Sequence, residues 1–117
     1  MTSVDLSDTR PDILRAETIK QMTVRPGPPL WKGSAYYYAL GWLVRPITEE
    51  ANWWHAGSLP GSHTLLVRTY HGMAWAVLFN MRPEDESGFI AEVDSGIWEA
   101  VGEVALRPGH DLFDQFP

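Results

Sequence analysis

Two runs of apolar and β-branched residues, 62–69 and 73–80, flank the short connection Tyr70-His71-Gly72. A three-residue link carrying glycine folds such runs back on each other as an antiparallel hairpin, so this chain must build a sheet. The second run constrains that sheet further. Met73-Ala74-Trp75-Ala76-Val77-Leu78-Phe79 is apolar at every position, whereas a strand with one wet face alternates in polarity. The run is therefore expected to be covered on both sides.

Aromatic and β-branched residues over 36–45 read as a further strand, ended by Pro46. Residues 47–52 read as a polar turn, and residues 53–56 as a short strand halted by Gly57 and the Leu59-Pro60-Gly61 break. A helix is expected on each side of this sheet. Ile13, Leu14, Ala16, Ile19 and Met22 have helical spacing within residues 10–24. The start is marked either by Thr9 ahead of Arg10 and Pro11, or by Glu17 in the first turn of a later, shorter helix. Residues 25–33, with three prolines and two glycines, read as a connector. Phe89, Ile90, Val93, Ile97, Trp98 and Val101 recur at three and four, giving a helix over 85–104 with Asp85 at its start. Gly96 weakens its middle by about 1 kcal/mol relative to Ala, so packing on the sheet is expected to hold it. Residues 1–9 are polar and expected to be flexible. Residues 107–117 read as an irregular tail in which Leu112, Phe113 and Phe116 can dock. A chain of 117 residues has room for one core. The expected architecture is one α+β domain over 1–117: an antiparallel sheet of three to four strands, with an N-terminal and a C-terminal helix packed on it.

The formal net charge is -6, and from residue 84 onward nine acidic side chains face only Arg107. Nucleic-acid affinity comes from clustered Lys and Arg that release counterions, and no such cluster is present, so nucleic acid is not an expected partner. The acidic run reads as a solvated helix face. The absence of cysteine removes disulfide and thiolate chemistry. Residues 1–15 carry no basic region followed by an apolar stretch, and no run is long enough to cross a bilayer. Neither a signal peptide nor membrane association is expected, and a cytoplasmic location is the default. No pattern calls for a cofactor. Six Trp residues are many for this length, so either the core is aromatic-rich or several belong to a surface meant to be covered.

Trp53-Trp54-His55-Ala56-Gly57-Ser58-Leu59-Pro60-Gly61 puts a polar ring, two small residues and a tight break at the end of a strand. Ala56 and Gly57 allow backbone N–H groups to approach a substrate carbonyl, and His55 can donate or accept a hydrogen bond beside them. A hairpin corner with a surface histidine has the same spacing. With its neighbours the segment says more. Tyr38-Ala39-Leu40-Gly41-Trp42, then residues 54–61, then Thr64-Leu65-Leu66-Val67, then Ala76-Val77-Leu78-Phe79-Asn80 resemble, in order and spacing, the C-terminal part of the serine β-lactamase-like family. That family includes class C β-lactamases, D-alanyl-D-alanine carboxypeptidases and related esterases. The resemblance spans residues 14–116. It implies that His55-Ala56-Gly57 stands for the Lys-Thr-Gly or His-Thr-Gly box on the strand lining the active site. His55 would take the place of the basic residue that positions substrate, and the Ser58 backbone N–H that of one of two oxyanion-hole donors. Ala56 departs from the pattern, since it carries no hydroxyl.

The family's chemistry also needs a Ser-x-x-Lys nucleophile and a Tyr-x-Asn or Ser-x-Asn relay. Ser3, Ser7, Ser34, Ser58, Ser62, Ser87 and Ser95 are followed at that spacing by Leu6, Arg10, Tyr37, Gly61, Leu65, Ile90 and Trp98, and neither Asn completes a relay motif. The catalytic set is therefore incomplete. The expected function is a β-lactamase-like module without activity of its own, serving as a remnant, scaffold or interaction domain. The alternatives are half of a split serine hydrolase completed by a nucleophile-bearing chain, or a domain binding a small ligand or peptidoglycan fragment. Either a second copy or a complementing hydrolase chain is expected to dock on exposed apolar surface.

Three weaker patterns remain. A Ser-His-Asp set drawn from Ser58 or Ser62 with His55 or His63 lacks an enclosed site. His55, His63, His71 and His110 have no close ligand spacing, so no metal site is expected. Tyr36-Tyr37-Tyr38 reads as core and edge packing, with a platform for a sugar or aromatic ligand as the other reading.

Overall fold

The computed structural model describes residues 13–29 and 33–105. The chain divides between Arg82 and Pro83 into two compact units. The first holds helix α1 (Ala16–Thr23) and strands β1 (Tyr37–Tyr38), β2 (Leu43–Ile47), β3 (Glu50–Leu59), β4 (Ser62–Arg68) and β5 (Ala74–Phe79), and the second holds helix α2 (Glu86–Glu103). The strands lie side by side in chain order, each antiparallel to the next. The class is α+β, with five strands where three to four were expected.

The difference comes from tight turns inside runs that read as single elements. Gly41 takes φ 81°, and the Ala39 N–H reaches the Trp42 carbonyl at 2.8 Å. The expected strand over 36–45 is thereby folded into the β1–β2 hairpin. Pro46 does not end β2 but pairs with Ala51 inside it. Ile47 and Glu50 close a two-residue turn at Thr48 and Glu49, so they form a hydrogen-bonded pair. Alternation then places Pro46 where a backbone N–H would point away from β3, and its missing donor costs that ladder nothing. The polar turn expected over 47–52 shrinks accordingly to two residues. Gly57 does not stop β3 either: it pairs with Thr64, and the strand runs on to Leu59 before Pro60 and Gly61 (φ 79°) turn the chain.

The hairpin joined by Tyr70-His71-Gly72 is present, closed by the Thr69 N–H on the Met73 carbonyl at 2.8 Å. β5, however, is not covered on both sides. Ala74, Ala76 and Leu78 are exposed while Trp75, Val77 and Phe79 are half-buried, and Leu78 is 78% exposed. β5 is the last strand of the sheet. Its unbroken apolar sequence hides an ordinary in-out alternation, because two of the three outward positions are alanines.

The core is small. Val44 and Leu65 are each 1% exposed, and Val67 and Trp42 are also buried. Among the other described tryptophans none is buried to this degree. Trp53 and Trp54 point to opposite faces of β3, one under the Arg68 guanidinium (4.5 Å) and the other under that of Arg45 (5.1 Å). Polar residues reach the interior with partners: the Asn52 Oδ1 accepts from the Tyr70 N–H at 2.9 Å, and the Thr69 Oγ1 accepts from the Met73 N–H at 3.1 Å.

α1 is shorter than the helix expected over 10–24. Its start matches the Glu17 alternative, with Arg15 at the N-cap; Thr9 and residues 10–12 lie outside the described residues. Ile13 is 78% exposed, so its helical spacing has no burial to reward it. The sheet holds the other end. The Tyr37 hydroxyl donates to the Thr23 carbonyl (2.9 Å) and the Leu40 N–H to that of Met22 (3.1 Å), satisfying two carbonyls that a helix end leaves unpaired.

α2, by itself, begins where the sequence puts it. Asp85 accepts a hydrogen bond from the Gly88 N–H at 2.9 Å, and the stripe from Phe89 to Val101 is half-buried. The tail at 107–117 lies outside the described residues.

Thr48 is the one described non-glycine residue with positive φ, at 55°. A β-branched side chain in that region costs roughly 1–2 kcal/mol. Thr48→Gly is expected to raise the unfolding free energy by about 0.5–1 kcal/mol, after the greater freedom of glycine in the unfolded chain is set against the relief. An unchanged or lower urea midpoint would show that the turn carries no such strain.

Candidate functional site

The sequence-derived site falls on the far half of β3, and the alternation of the strand divides it. His55 and Gly57 face one side of the sheet, Ala56 and Ser58 the other. His55 is exposed, and its Nε2 lies 3.0 Å from the Tyr38 hydroxyl, with the rings edge-to-face at 6.0 Å. That hydrogen bond fixes where one ring nitrogen points.

Thr64 stands directly opposite Gly57 on β4, and its hydroxyl donates to the Gly57 carbonyl at 3.5 Å. A Cβ at position 57 would meet that oxygen at 2.5 Å. Glycine is thus what leaves room for a hydroxyl on the His55 face.

The backbone follows from the Pro60-Gly61 turn. Leu59 and Ser62 close it as a hydrogen-bonded pair, so alternation turns the N–H groups of Ala56 and Ser58 away from β4. On that side β2 has already ended, its last pair with β3 being Leu43 and Trp54. The Ser58 amide therefore faces a strand edge with no ladder partner among the described strands, the setting an oxyanion donor requires.

The serines and histidines of the β3–β4 hairpin do not assemble a nucleophile. Ser58 points to the opposite face from His55. Ser62 sits opposite Leu59, four positions along β3 from His55, about 13 Å at strand spacing. The register does bring Ser58 beside His63, yet Ser58 is exposed while His63 is 3% exposed and belongs to the buried row of β4. His71 stacks on Tyr70 at 3.8 Å between centroids, and His110 lies outside the described residues. Among the described residues no three His, Asp or Glu side chains converge as metal ligands would.

The tyrosine run serves three different neighbours. Tyr36 leans on Trp54 (5.9 Å), Tyr37 binds the end of α1 beneath Arg25 (5.1 Å), and Tyr38 holds His55. Sequence reasoning missed Tyr38 and Thr64 as site residues. Counting register outward from Pro60-Gly61 finds Thr64, provided Gly57 is taken as a strand residue; Tyr38 has no comparable local signal.

Compared with protein-family models, curated proteins and solved structures, the chain matches none of them.

The Gly57–Thr64 contact is testable as a pair. Gly57→Ala is expected to cost about 1–2 kcal/mol through overpacking, and the same change in a Thr64→Ala background close to nothing, since the remaining Thr64 Cβ is 3.9 Å away. A double-mutant cycle in urea showing no coupling would refute the close approach.

Proposed function

We propose that this chain is a β-lactamase-like module that positions a substrate without attacking it, silent as an enzyme by itself and acting as a scaffold or interaction domain. The carrying observation is the pairing of His55 with Tyr38 on an open strand, with an outward Ser58 amide further along it and neither serine of the hairpin next to the imidazole. Orientation needs only fixed donors and acceptors, and these are present. Attack needs a nucleophile within hydrogen-bond reach of a base, and the register separates the exposed histidine from both serines of the hairpin.

Purified protein is expected to hydrolyse a chromogenic cephalosporin and a nitrophenyl ester no faster than buffer. Benzylpenicillin is expected to shift the backbone resonances of residues 55–58 and 64, with affinity falling about 5-fold in His55→Ala, as for loss of one exposed hydrogen bond. Turnover abolished by Ser58→Ala or His55→Ala would overturn the silent reading. Millimolar ligand leaving those resonances unmoved would overturn the positioning reading.

The exposed apolar row of Ala74, Ala76 and Leu78 supports an association role for the same module. Sedimentation is expected to show self-association that rises with concentration and weakens at least several-fold in Leu78→Lys. A monomer at all concentrations would remove this part of the reading.

A further inference from the structure

A second concave site lies between α1 and the sheet, away from the His55 edge. Its floor is one row of laterally paired residues. Tyr37 pairs with Val44, Val44 with Trp53, and Trp53 with Arg68, so all four side chains share a face. Ile19, Lys20 and Thr23 of α1 form the opposite wall, and the cleft, open to solvent, has a volume of about 720 Å³. That is the size of pocket that holds a small organic molecule.

The row has a specific chemistry. Val44 at its middle is 1% exposed, which leaves the two aromatic rings as the apolar surface. Each ring carries a guanidinium: Arg68 lies over Trp53 at 4.5 Å and Arg25 over Tyr37 at 5.1 Å. Stacking on Trp53 occupies the flat face of the Arg68 guanidinium and leaves its N–H edge to fork onto a carboxylate. Lys20 adds a third positive charge, and Glu49 and Glu50, at the β2–β3 turn, supply the negative charges of the lining. Burial makes the Arg68 cation less favourable and the field of Glu50 partly restores it. A half-buried, preoriented guanidinium that has already lost water is well placed to gain from an anion.

We propose that this cleft binds a small planar organic carboxylate, its carboxylate on the Arg68 guanidinium and its flat body between the α1 wall at Ile19 and the half-buried edges of Tyr37 and Trp53. The site is independent of the hydrolase-like reading, because it shares no residue with the His55 strand end. Glu50, which helps hold Arg68 charged, also repels the incoming anion, so its neutralisation should tighten binding.

The test uses the full chain and three probes: naphthalene-2-carboxylate, its neutral amide, and inorganic phosphate. By amide resonances and Trp fluorescence, the carboxylate is expected to bind with a Kd up to about 1 mM, and the amide and phosphate at least about 10-fold more weakly. Shifts should centre on Tyr37, Trp53 and Arg68. Arg68→Met keeps an unbranched stem over Trp53 and is expected to lose about 10- to 100-fold. Glu50→Gln is expected to gain a few-fold. Equal binding of carboxylate and amide, shifts outside the cleft, or no shift at about ten times that concentration would overturn the proposal. So would an unaltered Kd in a folded Arg68→Met. Should Arg68→Met not fold, the amide comparison and Glu50→Gln still decide.

Discussion

The turn at Pro60 and Gly61 sets the direction of every group on the far half of β3, because a two-residue turn admits one pairing of the residues that close it. Once Leu59 faces Ser62, Gly57 must face Thr64 and Ser58 must face His63. The turn at Thr48 and Glu49 does the same from the other end, fixing Val44 against Trp53. A slip of one residue at either turn would exchange the two faces of β3. His55 would then look toward the opposite side, and Trp53 would leave Arg68.

The same constraint explains how adjacent tryptophans serve unlike purposes. Trp53 and Trp54 are neighbours in sequence and strangers in space, each covered by an arginine from a different strand. An indole needs much area covered, and a guanidinium laid over it does so, Arg45 while exposed and Arg68 while half-buried. The sheet thus presents two large rings near its surface without a thick core. Buried polarity is kept local in the same way: Asn52 serves the Tyr70 amide, tying the middle of the sheet to the far hairpin loop.

Sequence reading found the elements whose signals are local. The Tyr70-His71-Gly72 hairpin and the helix begun by Asp85 rest on residues within one turn of the feature they define, whereas the start of α1 stayed open between Thr9 and Glu17. It misjudged features whose meaning depends on a neighbouring strand. Pro46 and Gly57 read as stops because proline and glycine weaken strands on average. Each is tolerated here by its partner, Pro46 through an unused donor position and Gly57 through the space that Thr64 fills. The segment holding His55, Ala56, Gly57 and Ser58 was legible as a place where polar groups meet small residues. Its division between two faces was not, because that needs the strand to continue beyond Gly57.

The unequal lengths of β2 and β3 give the sheet a mechanical gradient. Within β3 only Trp53 and Trp54 are paired on both sides; residues 50–52 are paired with β2 alone and residues 55–59 with β4 alone. Opening a segment costs less when fewer ladder bonds and buried contacts must break. The far half of β3 therefore opens more readily than Trp53 and Trp54, while β4 beside it stays paired with β5. His55 sits at the junction, attached to the yielding half by its backbone and to β1 by its side chain through Tyr38. That side-chain tether limits how far the arm can swing without breaking a bond that is visible from solvent.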